Sequence, residues 1–254
     1  MRVATFNVLH GRSVTDGLVE PDRLAEAVRT IGADVLALQE VDRAQPRSGG
    51  HDLALIAADA MQAGWRRFEP TILGTPGEQW RPCLPGGDDG GPAYGIALLS
   101  RLPVLRFGVL HLPPAPLRSP IVAPAPSSRV VLLQDEPRMA IIAVVEQQGV
   151  RVTVAGTHLS FVPGWNVRQL RSLKRELADW PRPVVLAGDL NLPGNVPAVV
   201  TGWRRAVRAA TYPSTGPRVQ LDHILVGHGR LEATGTRLRL GISDHCAAYA
   251  DLVL

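Results

Sequence analysis

Lysine is nearly absent from this chain of 254 residues: among 27 basic residues Lys174 is the sole lysine, and arginine supplies the rest. The sequence isoelectric point of about 9.7 therefore overstates its basic character. Arginines of very high pKa lift that value, while the formal net charge is only +4. With abundant alanine, glycine and proline beside it, the arginine reads as coding-composition bias. Doublets such as Arg66-Arg67 and Arg204-Arg205 read as solvated surface, so charge alone does not argue for a nucleic-acid face.

Cysteine is scarce as well. Cys83 and Cys246 are too few for a disulfide framework. Cys246 follows His245, which raises a redox or nucleophilic role, but a small residue packed at the start of the last strand is the preferred reading. No apolar run approaches the length of a membrane span. No His-x-His or His-x-x-x-His pattern occurs among the seven histidines, which argues against a di-zinc hydrolase. At the N-terminus a strand-like run, Val3-Ala4-Thr5-Phe6, starts directly after Met1-Arg2 and leaves no room for a signal peptide, so a cytoplasmic protein is expected. The apolar content and the length suit one large domain over residues 1–254 with a substantial core.

Hydrophobic periodicity supplies the elements. Leu24, Ala27, Val28 and Ile31 recur at helical spacing over Pro21–Ile31, with proline in the first turn and Gly32 at the end. Further helices are predicted over 52–63, closed by Gly64, and over 167–180. Strands are predicted over 2–7, 33–38, 65–70, 93–100, 104–112, 138–147, 150–156, 183–187, 219–226, 231–240 and 246–254. Residues 74–92, rich in Gly, Pro and Asp, form a loop, and the Pro-rich segment 113–126 is a surface excursion between strands. Many strands with a few helices between them predict an α/β (α+β) architecture of two packed, mostly antiparallel sheets flanked by helices.

Polar residues cluster at the ends of these runs. Asn7, Glu40, His158, Asp189, Asn191 and Asp222 all fall at or beside the end of a strand-like stretch, and Asp244-His245 sits just before one. Polar groups there cost stability unless they are paired or bound. Groups far apart in sequence can meet on one edge of a sandwich, and the set offers carboxylates, amides and imidazoles. Hard divalent cations favour the first two, and developing phosphoryl charge favours the last. Read singly, Asn7 is a turn residue, Asp189 and Asn191 an Asx-turn, and each histidine a structural one. His111, His223 and His228 are left under that reading, with His223 facing away from Asp222. His10 and His51 stay open.

The ordered series Thr5-Phe6-Asn7, Leu38-Gln39-Glu40, Thr157-His158-Leu159, Gly188-Asp189-Leu190-Asn191, Leu221-Asp222-His223-Ile224 and Ser243-Asp244-His245 resembles the endonuclease/exonuclease/phosphatase superfamily over nearly the whole chain. That resemblance implies a four-layered α/β sandwich and Mg²⁺-dependent hydrolysis of a phosphate ester, with Mn²⁺ as a substitute. It makes Glu40 the principal metal ligand, with Asn7 beside it and Asp244 a third. It makes His158, Asp189, Asn191, Asp222 and His245 the catalytic set. Asp222 would orient His245, and His158 would contact a non-bridging oxygen or assist the leaving group. Asp189 and His245 both remain candidates for the base that takes the water's proton. Tyr94-Gly95 resembles a family segment in which a polar residue follows the glycine, where this chain has Ile96. Arg138 is a candidate phosphate contact, with a strand-start salt bridge as the alternative.

The resemblance leaves the substrate open. AP endonucleases follow their glutamate with Thr-Lys and carry Gly-Asp-Phe-Asn, whereas this chain has Val41-Asp42 and Gly188-Asp189-Leu190-Asn191. The expected substrate is a small or lipid-derived phosphate ester, with DNA or RNA cleavage as the alternative. A catalytically dead binding scaffold would lack a ligand or a histidine, and none is missing. Trp165, after His158, can stack on a base or dip into lipid, but packing at a helix start is expected.

Overall fold

The computed structural model describes residues 1–116, 119–122, 130–229 and 231–254. In chain order its strands are β1 (Arg2–Asn7), β2 (Val35–Arg43), β3 (Trp65–Gly74), β4 (Trp80–Pro82), β5 (Ala93–Ser100), β6 (Val104–Leu112), β7 (Ser119–Val122), β8 (Val130–Leu133), β9 (Arg138–Gln147), β10 (Val150–His158), β11 (Val184–Asp189), β12 (Arg204–Arg205), β13 (Asp222–Gly227), β14 (Glu232–Leu238) and β15 (Ala247–Val253). The helices are α1 (Pro21–Ile31), α2 (Leu53–Met61), α3 (Trp165–Glu176) and α4 (Val196–Thr201).

Local chemistry sets the helix ends. Proline occupies the first turn of α1, where its missing N–H costs nothing, and Gly32 closes the helix in the left-handed conformation at φ 61°. Asp52 caps α2, its side chain accepting from Leu55 N at 2.9 Å. That helix closes at Gln62, in a left-handed conformation, before Gly64 is reached.

Seven strands form one sheet in the order β14-β15-β1-β2-β5-β3-β4, and six form another in the order β12-β13-β11-β10-β9-β6. β7 and β8 pair with each other in a two-stranded sheet. Most pairings are antiparallel, but each sheet contains one parallel pair, β1 with β2 and β10 with β11.

Period-two alternation distributes side chains between layers. Along β9, Met139, Ile141, Ala143 and Val145 face the core between the two sheets, where they meet Val35, Ala37 and Leu98. Ala140, Ile142 and Val144 face the opposite way, toward Leu170, Leu173 and Leu177 of α3 and the turn after it. On the far side, Leu36, Leu38 and Leu99 take α1 and α2 through Leu24, Val28, Ile31 and Leu53. The result is two packed sheets flanked by helices, as the succession of strands and helices predicted, and the four-layered sandwich that the family resemblance implied, each fully buried aliphatic contributing about 1.5–3 kcal/mol.

Several boundaries differ from the periodicity. β2 continues past Leu38 to Arg43 through an irregularity at Gln39-Glu40. β3 runs on to Gly74, and β4 pairs with it inside the glycine-rich segment. β13 starts at Asp222, because residues 211–219 fold back on themselves, Tyr212 bridging to Val219. The α4 turn and the two-residue β12 carry too few residues to show a period. In the Pro-rich segment β7 replaces part of the predicted irregular run, and residues 117–118 and 123–129 lie outside the described ones.

Candidate active site

The strand register brings the candidate residues together. His158 ends β10 opposite Asp189 at the end of β11, and Asp189 is in turn opposite Asp222 at the start of β13. Three chemistry-bearing residues therefore lie in one row across three strands. In the other sheet Asn7 ends β1 opposite Gln39. The two sheets meet where Asn7 Nδ2 donates to Asp189 Oδ2 at 3.1 Å and to Glu40 Oε1 at 3.0 Å.

Irregular backbone aims the side chains. Between Leu38 and Val41 the ladder to β5 slips, and Glu40 within that bulge adopts φ 56°. A bulge re-aims a side chain that regular alternation would send elsewhere. Left-handed backbone at a non-glycine residue costs on the order of 1–3 kcal/mol and is held only where its surroundings over-determine it. Asn191 (φ 50°) and Ser243 (φ 69°) share that conformation. Asn191 N donates to Asp189 Oδ1 at 3.0 Å, the Asx-turn predicted after the buried strand. Asn191 Nδ2 donates to Leu159 O at 2.9 Å and lies 3.3 Å from His158 Nε2. Ser243 Oγ donates to Asn7 O at 2.6 Å and accepts from His245 N at 3.0 Å, tying the last turn to β1.

His245 sits at the centre of the charge distribution. Its Nδ1 lies 2.8 Å from Asp222 Oδ2, and its Nε2 lies 3.8 Å from Asp189 Oδ2. Burial alone pushes its pKa down, but the carboxylates of Asp222 and Asp189 and the Asp222 hydrogen bond outweigh it and lift it to about 10. The surrounding carboxylates thus favour the protonated, imidazolium form of His245. His158, whose Nε2 is 3.5 Å from Asp189 Oδ2, is held neutral: burial, then Arg138, then His245 depress its pKa. Burial raises the Asp189 pKa against the pull of His245.

Glu40, partly exposed, has its pKa raised to about 7; burial is the largest cause, the Asn7 hydrogen bond opposes it, and the Asp244 and Asp189 charges add to it. Asp244 is half-buried. Three carboxylates, Glu40, Asp189 and Asp244, therefore share one partly desolvated corner. A hard divalent cation suits that donor set. Asn7 Oδ1 accepts from Leu9 N at 3.1 Å, so in this arrangement the amide bridges Glu40 and Asp189 through its nitrogen. A second grouping, Asp189, Asp222 and His245, places ligand atoms within 4.8 Å of one another. The 2.8 Å bond from Asp222 to His245 Nδ1 already engages two of its members.

Arg138 and Tyr94 are both buried and lie within electrostatic reach of each other and of Glu40. The alternative of a strand-start salt bridge for Arg138 is present in loose form. Its Nη2 is 3.7 Å from Glu136 and 4.0 Å from Asp135, ion pairs longer than a hydrogen bond, and its Nε has no hydrogen-bond partner among the described residues. Trp165 opens α3, donates through Nε1 to Pro113 O and carries the Arg168 guanidinium over its ring, in line with helix-start packing. His223 faces away from the site, its Nε2 2.8 Å from Leu192 O. His51 and His111 are exposed, and His10 is half-buried near Arg47 and Asp42.

Two residues escape sequence reasoning. Tyr212 stacks on His245 with ring centroids 4.9 Å apart. Asp135 is buried, accepts from Ala115 N and Ser160 Oγ, and stands behind Arg138. Neither ends a periodic run, so only the proline and serine around Tyr212 and the charged cluster Asp135-Glu136-Pro137-Arg138 could have drawn notice.

The model of the Endonuclease/Exonuclease/phosphatase family matches residues 4–245. Solved structures with the same fold include an endonuclease/exonuclease/phosphatase from Beutenbergia cavernae, 22% identical, with 100% of this chain and 71% of that one covered and a TM-score of 0.67. Sphingomyelinase C from Streptomyces griseocarneus is 19% identical, with 98% of each chain covered and a TM-score of 0.62. A mannosyl-6-phosphatase from Bacteroides thetaiotaomicron is 13% identical, with 100% of each covered and a TM-score of 0.64. No curated protein matches the sequence. No helix among the described residues is long and apolar enough to cross a membrane.

Proposed function

The chain belongs to the endonuclease/exonuclease/phosphatase family, and from that premise we propose that it is a Mg²⁺-dependent phosphoesterase acting on a small or lipid-derived phosphate ester. The observation that carries this reading is the series of polar contacts from Asp222 through His245, Asp189 and Asn7 to Glu40, hydrogen bonds at each link except the 3.8 Å ion pair between His245 and Asp189. It joins an acid-rich corner suited to a cation to an imidazolium suited to phosphoryl charge.

In this reading Glu40 and Asp244 would hold the cation, and the Asn7 amide keeps the Glu40 carboxylate in place. A divalent cation bound there would supply Lewis-acid polarisation of a phosphoryl oxygen. Asp189 Oδ2 accepts the attacking water's proton, because His245 already carries its own. The water oxygen forms the new P–O bond, the ester P–O bond breaks, and the leaving oxygen takes a proton from solvent. Asp222 holds His245 Nδ1–H, leaving the Nε2–H to face the charge that builds on the phosphoryl oxygens. Arg138, with no carboxylate at hydrogen-bond distance, holds a non-bridging oxygen. Asn191 and the neutral His158 line the same oxygens.

The substrate class draws support from two structural neighbours, one named a sphingomyelinase and one a mannosyl-6-phosphatase, and from the departures at Val41-Asp42 and Leu190. A panel of sphingomyelin, sugar and inositol phosphates, plasmid DNA, AP-site DNA and RNA tests it. Turnover of an ester with nucleic acids untouched supports the reading. Rapid nicking of plasmid with the esters untouched overturns it in favour of a nuclease.

A further inference from the structure

The loop of residues 211–219 is stitched to the turn that carries His245. Ser214 N donates to Asp244 O at 2.6 Å, Ser214 Oγ to Ser243 O at 2.8 Å, and Cys246 N to Thr211 O at 2.8 Å. The loop is closed on itself by Tyr212 N to Val219 O at 2.9 Å. Thr211 Oγ1 accepts from the backbone N–H groups of Leu221 and Asp222. Tyr212 is thereby fixed relative to both Asp222 and His245. Its ring meets the imidazole at 4.9 Å and 49°, and it is half-exposed, neither sealed in the core nor free in solvent.

An ionised phosphodiester group offers only acceptors, so its oxygens are held by donors or by a cation. Beside the Nε2–H of His245 and the Arg138 guanidinium, the amide and imidazole donors of the site are already engaged. Asn7 Nδ2 serves Glu40 and Asp189, Asn191 Nδ2 serves Leu159 O, and His245 Nδ1 serves Asp222. The Tyr212 hydroxyl makes no hydrogen bond with any described residue. Burial, followed by the charges of Asp244, Asp189 and Glu40, keeps it protonated and therefore able to donate.

We propose that Tyr212 is a substrate-contacting residue of this site, its phenol hydroxyl donating to a phosphoryl oxygen while its ring rests against His245. The proposal rests on the phosphoesterase reading. The competing account is that Tyr212 only packs against the imidazole, and Tyr212→Phe separates the two because it keeps the ring and removes the donor.

Inorganic phosphate is titrated by calorimetry, with Mg²⁺ present, onto the wild type, Tyr212→Phe and Tyr212→Leu. The downfield His245 Nδ1 proton is followed by NMR in the same samples. A hydrogen bond from a neutral donor to a charged acceptor predicts roughly tenfold to hundredfold weaker phosphate binding by Tyr212→Phe, with the Nδ1 signal unchanged. Tyr212→Leu should lose at least as much affinity and broaden or shift that signal. Phosphate binding by Tyr212→Phe within twofold of the wild type overturns the proposal and leaves the phosphoesterase reading standing. Loss of the Nδ1 signal in Tyr212→Phe also overturns it, since the hydroxyl would then act through His245. A wild type that binds no phosphate overturns both.

Discussion

Asp222 and His245 meet at 2.8 Å across 23 residues of chain, carboxylate oxygen to Nδ1, with both side chains buried. The contact exists because β13 begins where β11 ends, so Asp222 faces inward beside Asp189, while Ser243 pins the incoming turn to β1. It fixes the orientation of the ring and holds the Nδ1 proton on it.

Replacing Asp222 by Asn preserves the shape and removes the charge. With bis-p-nitrophenyl phosphate as substrate, Asp222→Asn should lower kcat by roughly 10²–10³-fold, the range for losing one donor aimed at the transition-state charge. His245→Ala should lose at least as much. Wild-type turnover by Asp222→Asn would show that the carboxylate does not act through the ring.

Arg138 is buried, and among the described residues its Nε has no hydrogen-bond partner and no carboxylate lies closer than 3.7 Å. Arg138→Met keeps much of the apolar stem and removes the charge. KM for the diester should rise about tenfold or more, the scale of a lost charge-assisted hydrogen bond, and the urea midpoint should move little. A large stability loss with KM unchanged would make Arg138 a structural residue.

His223 gives a pH signature apart from catalysis. Burial lowers its pKa to about 4, and it sits neutral, 2.8 Å from Leu192 O. Its ordinary value in the unfolded chain is about 6.5, so the unfolded state binds more protons between the two values. The stability it contributes is therefore fully present above about pH 6.5 and is lost as pH falls toward 4, on the order of 3 kcal/mol in all. Urea unfolding at pH 7.5 and 4.5 should show a smaller loss in His223→Gln than in the wild type. Parallel losses would contradict the assignment.

Gly188 belongs to β11, next to Asp189, and is paired with Thr157 of β10, next to His158. A Cβ there would stand 2.1 Å from Thr157 O. Gly188→Ala must spread β10 from β11 and should cost about 1–3 kcal/mol or more. Turnover should fall with it, because the same spacing sets the distance from His158 to Asp189. A native urea midpoint would show that the strands can part without strain.

The catalytic and metal candidates were legible in the sequence because they lie at, beside or just before runs of buried residues, and strand ends on one edge converge. The hairpin from Arg138 to His158 and the helix from Pro21 to Ile31 were legible for the same reason, being periodic along their whole length. Glu40 was visible as a residue type, but its direction depends on a bulge against β5 that alternation cannot show. Tyr212 was invisible because its value comes from a loop docked on a turn 30 residues later, with no period and no charge to mark it. The bridging role of the Asn7 amide required the distance between the two sheets.

The central claim, a cation held at Glu40 and needed for phosphate-ester hydrolysis, is tested most directly by one titration. Turnover of bis-p-nitrophenyl phosphate is measured against Mg²⁺ or Mn²⁺ concentration for the wild type and Glu40→Gln, from metal stripped by chelator to saturation. The wild type should be inactive in excess chelator and recover fully with either metal. Glu40→Gln should need far more metal and reach only a small fraction of the wild-type rate. Undiminished wild-type turnover in excess chelator would contradict the account.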